Sequence, residues 1–154
     1  MKRILVPVDF SPATKAVVKT ALDLASPGAR IIILHGLIPP LVTTDYGMGL
    51  GAMQETIALS ERNARNQLEH LAASLAKKDL VVTTELTHGG APGAILDAAR
   101  RHKVDAIVLG SHGHTSFYDL VVGSTTHAVI KKAPCPVVVV PPSKTQPKPA
   151  RKKR

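Results

Sequence analysis

VDAIVLGSHGHTSFYDLVVGSTTHAVIKKAPCPVVVV, residues 104–140, is the stretch that decides the fold. Its apolar, β-branched run Ala106-Ile107-Val108-Leu109 stops at Gly110, the pattern of a buried strand ending at a backbone-permissive residue. Gly110 and Gly113 are separated by two residues, Gly113 and Gly123 by nine, and Ser124-Thr125-Thr126 then opens a helix-like run to Lys132. Glycines let a backbone approach a ligand closely, and the free N–H groups of a helix start attract an anion. The stretch therefore reads as a phosphate cradle at the carboxyl end of a parallel strand, where open α/β sheets bind ligands. On the residues alone, the same glycines also fit plain turns, with Ser124 or Thr125 as a helix cap.

Working outward, the amino-terminal run Ile4-Leu5-Val6-Pro7-Val8-Asp9 has no polar alternation, as in a strand covered on both faces. Ser11 and Pro12 fit the N-cap and first position of a helix running to about Ala25. Arg30 to Ile38 is a second apolar strand, in which His35 reads as a satisfied histidine at the strand end. The glycine-rich segment Pro39 to Met53 reads as a loop lying over a ligand, and Gln54 to Lys78 as a long amphipathic helix. Leu80 to Thr87 alternates in part, which suits an edge strand. The helix that follows contains Pro92 and ends on Arg100-Arg101-His102-Lys103, basic residues that complement the dipole. A final strand, Pro136 to Val140, closes a strand–helix alternation that implies a parallel sheet with helices on both faces.

The composition bounds the function. At 154 residues and 44% hydrophobic, the chain fits one domain with an aliphatic core. Two Phe, two Tyr and no Trp leave few rings for stacking on bases, which argues against a single-strand nucleic-acid platform. The formal charge is +9, but Lys144, Lys148, Arg151, Lys152, Lys153 and Arg154 carry six of those charges and leave the body at +3. A Pro- and Lys-rich tail, 143–154, is expected to be disordered, with nonspecific phosphate contacts as its only route to nucleic acid. The lone Cys135 reads as a small buried hydrophobe and suits a reducing cytoplasm; neither a membrane span nor a signal peptide is evident.

Gly110-x2-Gly113-x9-Gly123-Ser124 resembles the nucleotide-binding signature of the universal stress protein family, in its ATP-binding branch. Arg3-Ile4-Leu5-Val6-Pro7-Val8-Asp9 and Cys135-Pro136 with its valine run resemble the same family's first and last strands, in its order and spacing. The resemblance implies a Rossmann-like, doubly wound α/β domain over residues 1–142, with five parallel strands in the order 3-2-1-4-5. It also implies that Pro7, Val8, Asp9 and Gly36 hold a nucleoside, while Leu109, Gly110, His112, Gly113, Gly123, Ser124, Thr125 and Thr126 hold ribose and phosphates. Thr125 departs mildly from the apolar residue expected there. ATP with Mg²⁺ is the implied ligand, and a homodimer through the Val137–Val140 edge strand, acting on regulatory protein partners, is the implied assembly.

In that strand order the crevice opens between the first and fourth strands, so Asp9 and Gly110 face each other across it. A carboxylate accepts hydrogen bonds from an amino group or ribose hydroxyls. Asp9 also fits a simple turn residue. No Walker-type Gly-Lys-Ser/Thr is present, and neither a catalytic triad nor a metal-ligand set is visible by spacing. The expectation is a binding module with slow or no hydrolysis. The alternatives are a weak ATPase or autophosphorylating enzyme using Ser124, Thr125 or Thr126, and a polyanion binder acting through the tail.

Overall fold

Runs of β-branched and aliphatic residues become strands, and the 3.6-residue patterns between them become helices, so the chain alternates throughout. The order is β1 (Arg3–Pro7), α1 (Thr14–Leu24), β2 (Ala29–Leu37), α2 (Leu50–Leu75), β3 (Leu80–His88), α3 (Ala91–His102), β4 (Ala106–Gly110), α4 (Ser124–Lys132) and β5 (Val137–Val140). The structure is a computed structural model and describes residues 1–37, 50–76, 79–89, 91–111 and 122–142. The expected loop up to residue 49, His112, Gly113 and the basic tail lie outside them.

Five parallel strands form one sheet in the order β3-β2-β1-β4-β5. Alternate side chains of each central strand serve opposite faces. Ile4, Val6, Ile31 and Ile33 pack with Val17 and Val18 of α1 and Leu68 of α2. Leu5, Ile32, Leu34, Ile107 and Leu109 pack with Ile95 and Ala98 of α3 and Val129 of α4. Both faces are dry, which is why β1, β2 and β4 read as continuous apolar runs; each fully buried Ile or Leu contributes roughly 1.5–3 kcal/mol. β3 is an edge strand, as its partial alternation predicts, with Val81 48% exposed.

The sheet splits at its carboxyl end, and a single residue explains where. Pairing between β1 and β4 covers only Ile4 opposite Ala106 and Leu5 opposite Ile107. In a parallel ladder the same edge of β1 bonds next through residue 7, and Pro7 has no N–H to give. By contrast β4 stays paired to β5 as far as Gly110 opposite Val140. A crevice therefore opens between β1 and β4 while the sheet remains closed on either side.

Two helix starts differ from the sequence reading. α1 begins at Thr14 and not at Pro12, because Asp9 takes over the turn: its Oδ1 accepts the Ser11 N–H at 3.0 Å, and Phe10 adopts φ +58°. The Ser11 carbonyl accepts the Thr14 N–H, and the Ser11 hydroxyl makes no cap. α2 starts at Leu50, four residues before the expected Gln54 and within the segment read as loop. Ala52 and Met53 are good helix formers, and Gly51 meets no heavy atom where a Cβ would stand, so the helix crosses it at a cost of about 1 kcal/mol.

The basic end of α3 does more than complement a dipole. Arg101 donates to Glu85 Oε1, and His102 Nε2 lies 2.7 Å from Glu85 Oε2, fastening α3 to the edge strand. Burial acts to raise the Glu85 carboxyl, but the Arg101 and His102 hydrogen bonds together outweigh it and hold it below the usual carboxylate range. Asp105 is held low by backbone N–H groups of Arg3 and Lys2, each 2.8 Å from Oδ2. Cys135 packs beside the α3–α4 core, and burial pushes its thiol up.

Candidate nucleotide site

The crevice between β1 and β4 widens into a cavity of about 360 Å³, within the usual range for a small-molecule site of roughly 300–1,000 Å³. Pro7, Val8 and Asp9 line it from the exit of β1, Gly36 from β2, and Leu109 and Gly110 from β4. Gly123, Ser124, Thr125 and Thr126 line it from the start of α4. These sequence-named residues, about 100 positions apart in the chain, thus surround one space; His112 and Gly113 lie outside the described residues.

Other lining residues had no motif to announce them. Thr14 and Val17 enter from the first turns of α1, Thr87 from the end of β3, and Ala91, Ala94 and Ile95 from α3. The one available signal was positional: each lies at or after the carboxyl end of a strand in an alternating chain, the side on which such sheets bind ligands. Three helix N-termini therefore meet at the cavity, and none carries an acid in its first turn. Their dipole ends, and the first-turn N–H groups that precede each helical ladder, make the space favourable for an anion.

The α4 terminus is the best formed of the three. Gly123 is its N-cap and has no side chain with which to bond the first-turn N–H groups. The His127 N–H closes the first helical bond to the Gly123 carbonyl at 2.9 Å, so the N–H groups of Ser124, Thr125 and Thr126 precede the ladder. Ser124 is exposed, Thr125 half-buried and Thr126 buried, and all three line the cavity.

Thr126 has a structural bond as well: its Oγ1 donates to the Gly110 carbonyl at 2.7 Å. The direction of the β4 edge explains why. Ile107 and Ser111 bond β5 through their N–H groups, so Gly110 turns its peptide groups toward β1, where the sheet has already opened. Thr126 supplies the partner that β1 no longer provides and fixes α4 against β4. The Gly123 N–H bonds the Ser111 carbonyl at 2.8 Å and pinches the two ends of the glycine segment together.

On the β1 side, Asp9 is the one carboxylate among the described lining residues. Its Oδ1 accepts from Ser11, so the turn role and the cavity position coexist in one side chain. His35 lines the cavity from β2; its Nδ1 bonds the Val8 carbonyl at 2.8 Å, and its ring lies 4.6 Å from that of Phe10. It is a satisfied histidine, as its position at a strand end suggested. Among the described residues no cluster of His, Cys, Asp or Glu is arranged to hold a metal ion, and no helix is long and apolar enough to cross a membrane.

The fold is shared with known proteins. A universal stress protein of Thermus aquaticus is 30% identical over 141 residues, covering 90% of this chain and 98% of its own. The Methanocaldococcus jannaschii protein MJ0577, a solved structure, superposes with a TM-score of 0.82 at 27% identity, covering 94% of this chain and 98% of that one. A more distant fold match is an Arabidopsis thaliana universal stress protein family member with AMP bound, at 15% identity and a TM-score of 0.67, covering 94% of both chains. The sequence profile of the universal stress protein family matches residues 1–141, from the first strand through the crevice to the last. With that match over residues 1–141 and a strand order of 3-2-1-4-5, the chain belongs to the universal stress protein family.

Proposed function

We propose that the cavity binds an adenine nucleotide, ATP in the leading reading, and that the protein is a nucleotide-dependent regulatory module. The observation that carries this reading is the pairing of opposite chemistries across one crevice. Asp9 lies on the β1 side as an acceptor for amino and hydroxyl donors, and the N-terminus of α4, without a side-chain cap, on the β4 side as an anion seat. The AMP held by the Arabidopsis relative supports the same ligand class. His112 and Gly113 complete the phosphate segment in this reading. Mg²⁺ arrives on the phosphates, since Mg²⁺ commonly keeps its waters and takes few protein ligands.

Turnover is slow or absent. Among the described lining residues there is no lysine or arginine to neutralise charge developing on a terminal phosphate. The Val137–Val140 strand forms a sheet edge, and a second copy pairing there would cover its half-buried valines. Nucleotide occupancy would then set how the dimer meets its regulatory partners.

Ser124→Asp tests the phosphate seat without confounding by folding. An acid in the first turn stabilises a helix by about 0.3–1 kcal/mol, yet it repels a bound phosphate. Calorimetry with Mg²⁺-ATP should show at least about tenfold weaker binding while the melting temperature holds or rises. Unchanged affinity would remove the phosphate from α4 and the reading with it.

A further inference from the structure

Parallel strands exchange hydrogen bonds in a fixed sequence, so the last rung of a ladder says what ought to follow it. β1 and β2 end their pairing at Pro7 opposite Leu34, where the Val8 N–H reaches the Leu34 carbonyl at 2.8 Å. The next rung would run from the Gly36 N–H to the Val8 carbonyl. His35 Nδ1 takes that carbonyl instead, at 2.8 Å. A side chain has replaced a backbone donor one residue short of the continuing ladder.

The consequences follow from atom types. A carbonyl oxygen only accepts, so His35 Nδ1 carries a proton. The ring is held in place by Phe10, whose centroid lies 4.6 Å away at a 44° tilt and whose backbone sits at φ +58°, a conformation uncommon for a bulky residue. Gly36 shares its edge of β2 with Leu34, two residues before it, so its N–H and C=O face the β1 side beyond the last rung. Gly36 and His35 both line the cavity.

We propose that His35 is a positioning residue for the nucleotide site, and this rests on the nucleotide reading above. Its ring stands at the Val8 carbonyl in the place of the next rung and keeps β2 from zipping onto β1 there, so the Gly36 peptide edge stays open as a donor and acceptor for the ligand's base. Without the ring, the Gly36 N–H closes onto Val8 and that donor is lost to the ligand. Pro7 opens the sheet on the β4 side of β1, and His35 holds it open on the β2 side.

The test compares the wild-type protein with His35→Leu, which fills the volume without a donor, and His35→Asn, whose amide nitrogen falls close to the place of Nδ1. Mg²⁺-ATP calorimetry should show binding about tenfold weaker or worse for His35→Leu, with His35→Asn recovering most of the loss. Amide hydrogen exchange separates positioning from general damage. The Gly36 N–H should exchange fast in the free wild type and slow when ATP is added, whereas in His35→Leu it should be slow without ligand. Nitrogen NMR should find the neutral His35 ring protonated on Nδ1. A slow Gly36 amide in the free wild type, an Nε2-protonated ring, or a His35→Leu protein that binds like the wild type would each overturn the proposal. Failure of the wild type to bind ATP would instead sink the nucleotide reading, with the exchange and NMR results still deciding whether His35 holds the strands apart.

Discussion

Thr126→Val removes one hydroxyl and little else, and its cost can be worked from the geometry. Thr126 is 4% exposed, and its Oγ1 donates at 2.7 Å to a Gly110 carbonyl that has lost its β1 neighbour. Valine keeps the shape and leaves that carbonyl half-buried without this partner. A neutral hydrogen bond contributes about 1 kcal/mol net, and an abandoned acceptor costs about 1–3 kcal/mol; water reaching Gly110 places the total near 1.5 kcal/mol. For a chain of this length that lowers the melting temperature by about 3–6 °C. Thr126→Ser is the informative companion, since it keeps the hydroxyl and gives up a buried methyl worth about 0.8 kcal/mol. Urea titrations followed by circular dichroism should rank wild type above Ser and Ser above Val, with equal slopes. A valine variant within about 0.5 kcal/mol of wild type, or one more stable than the serine variant, would refute the latch between α4 and β4.

Three further outcomes can be checked with the same preparations. Lys103 ends α3 at φ +48°, with the Val104 N–H bonded to the Ala99 carbonyl and the Lys103 N–H to the Arg100 carbonyl, the helix ending that favours glycine; Lys103→Gly should stabilise the protein by about 0.5–1 kcal/mol in urea titration. Glu85 has a depressed carboxyl pKa, so its contribution is present above the ordinary carboxylate value and is lost as pH falls through the lower folded value. The stability gap between wild type and Glu85→Gln, about 0.5–1 kcal/mol at pH 7, should therefore close once pH falls below the ordinary carboxylate range; a gap that persists there would contradict the assignment. Burial raises the Cys135 thiol, so its reaction with a disulfide reagent at pH 8 should be many-fold slower in the native protein than in urea, and equal rates would place it in solvent.

Hydropathy made the layers legible, because strands covered on both faces must be apolar throughout, as in Ile31-Ile32-Ile33-Leu34. Partial alternation in Leu80 to Thr87 likewise marked the edge strand. The strand order came from the resemblance, since no single-chain pattern states which strands lie side by side. Edge direction was the hidden variable. Pro7 reads as a mere interruption until its missing N–H is assigned to the β4 side, and Thr126 reads as one hydroxyl among three until Gly110 is seen turning toward the opened side. The start of α1 was misplaced for a related reason: Ser11 is a good cap by type, but the Asp9 carboxylate reaches its N–H first and shifts the helix by two residues. Thr14, Thr87 and Ala91 reach the cavity through topology alone, so no local motif marks them.

The most direct test of the account is to purify the protein without added nucleotide, denature it, and identify any released small molecule by chromatography and mass spectrometry, with Mg²⁺-ATP calorimetry on the stripped protein. An adenine nucleotide carried through purification, or ATP binding in the micromolar range, is the expected result. Protein that carries none and binds none would contradict it, reducing Gly110, Gly123 and Ser124 to the turns and helix start of an interaction domain.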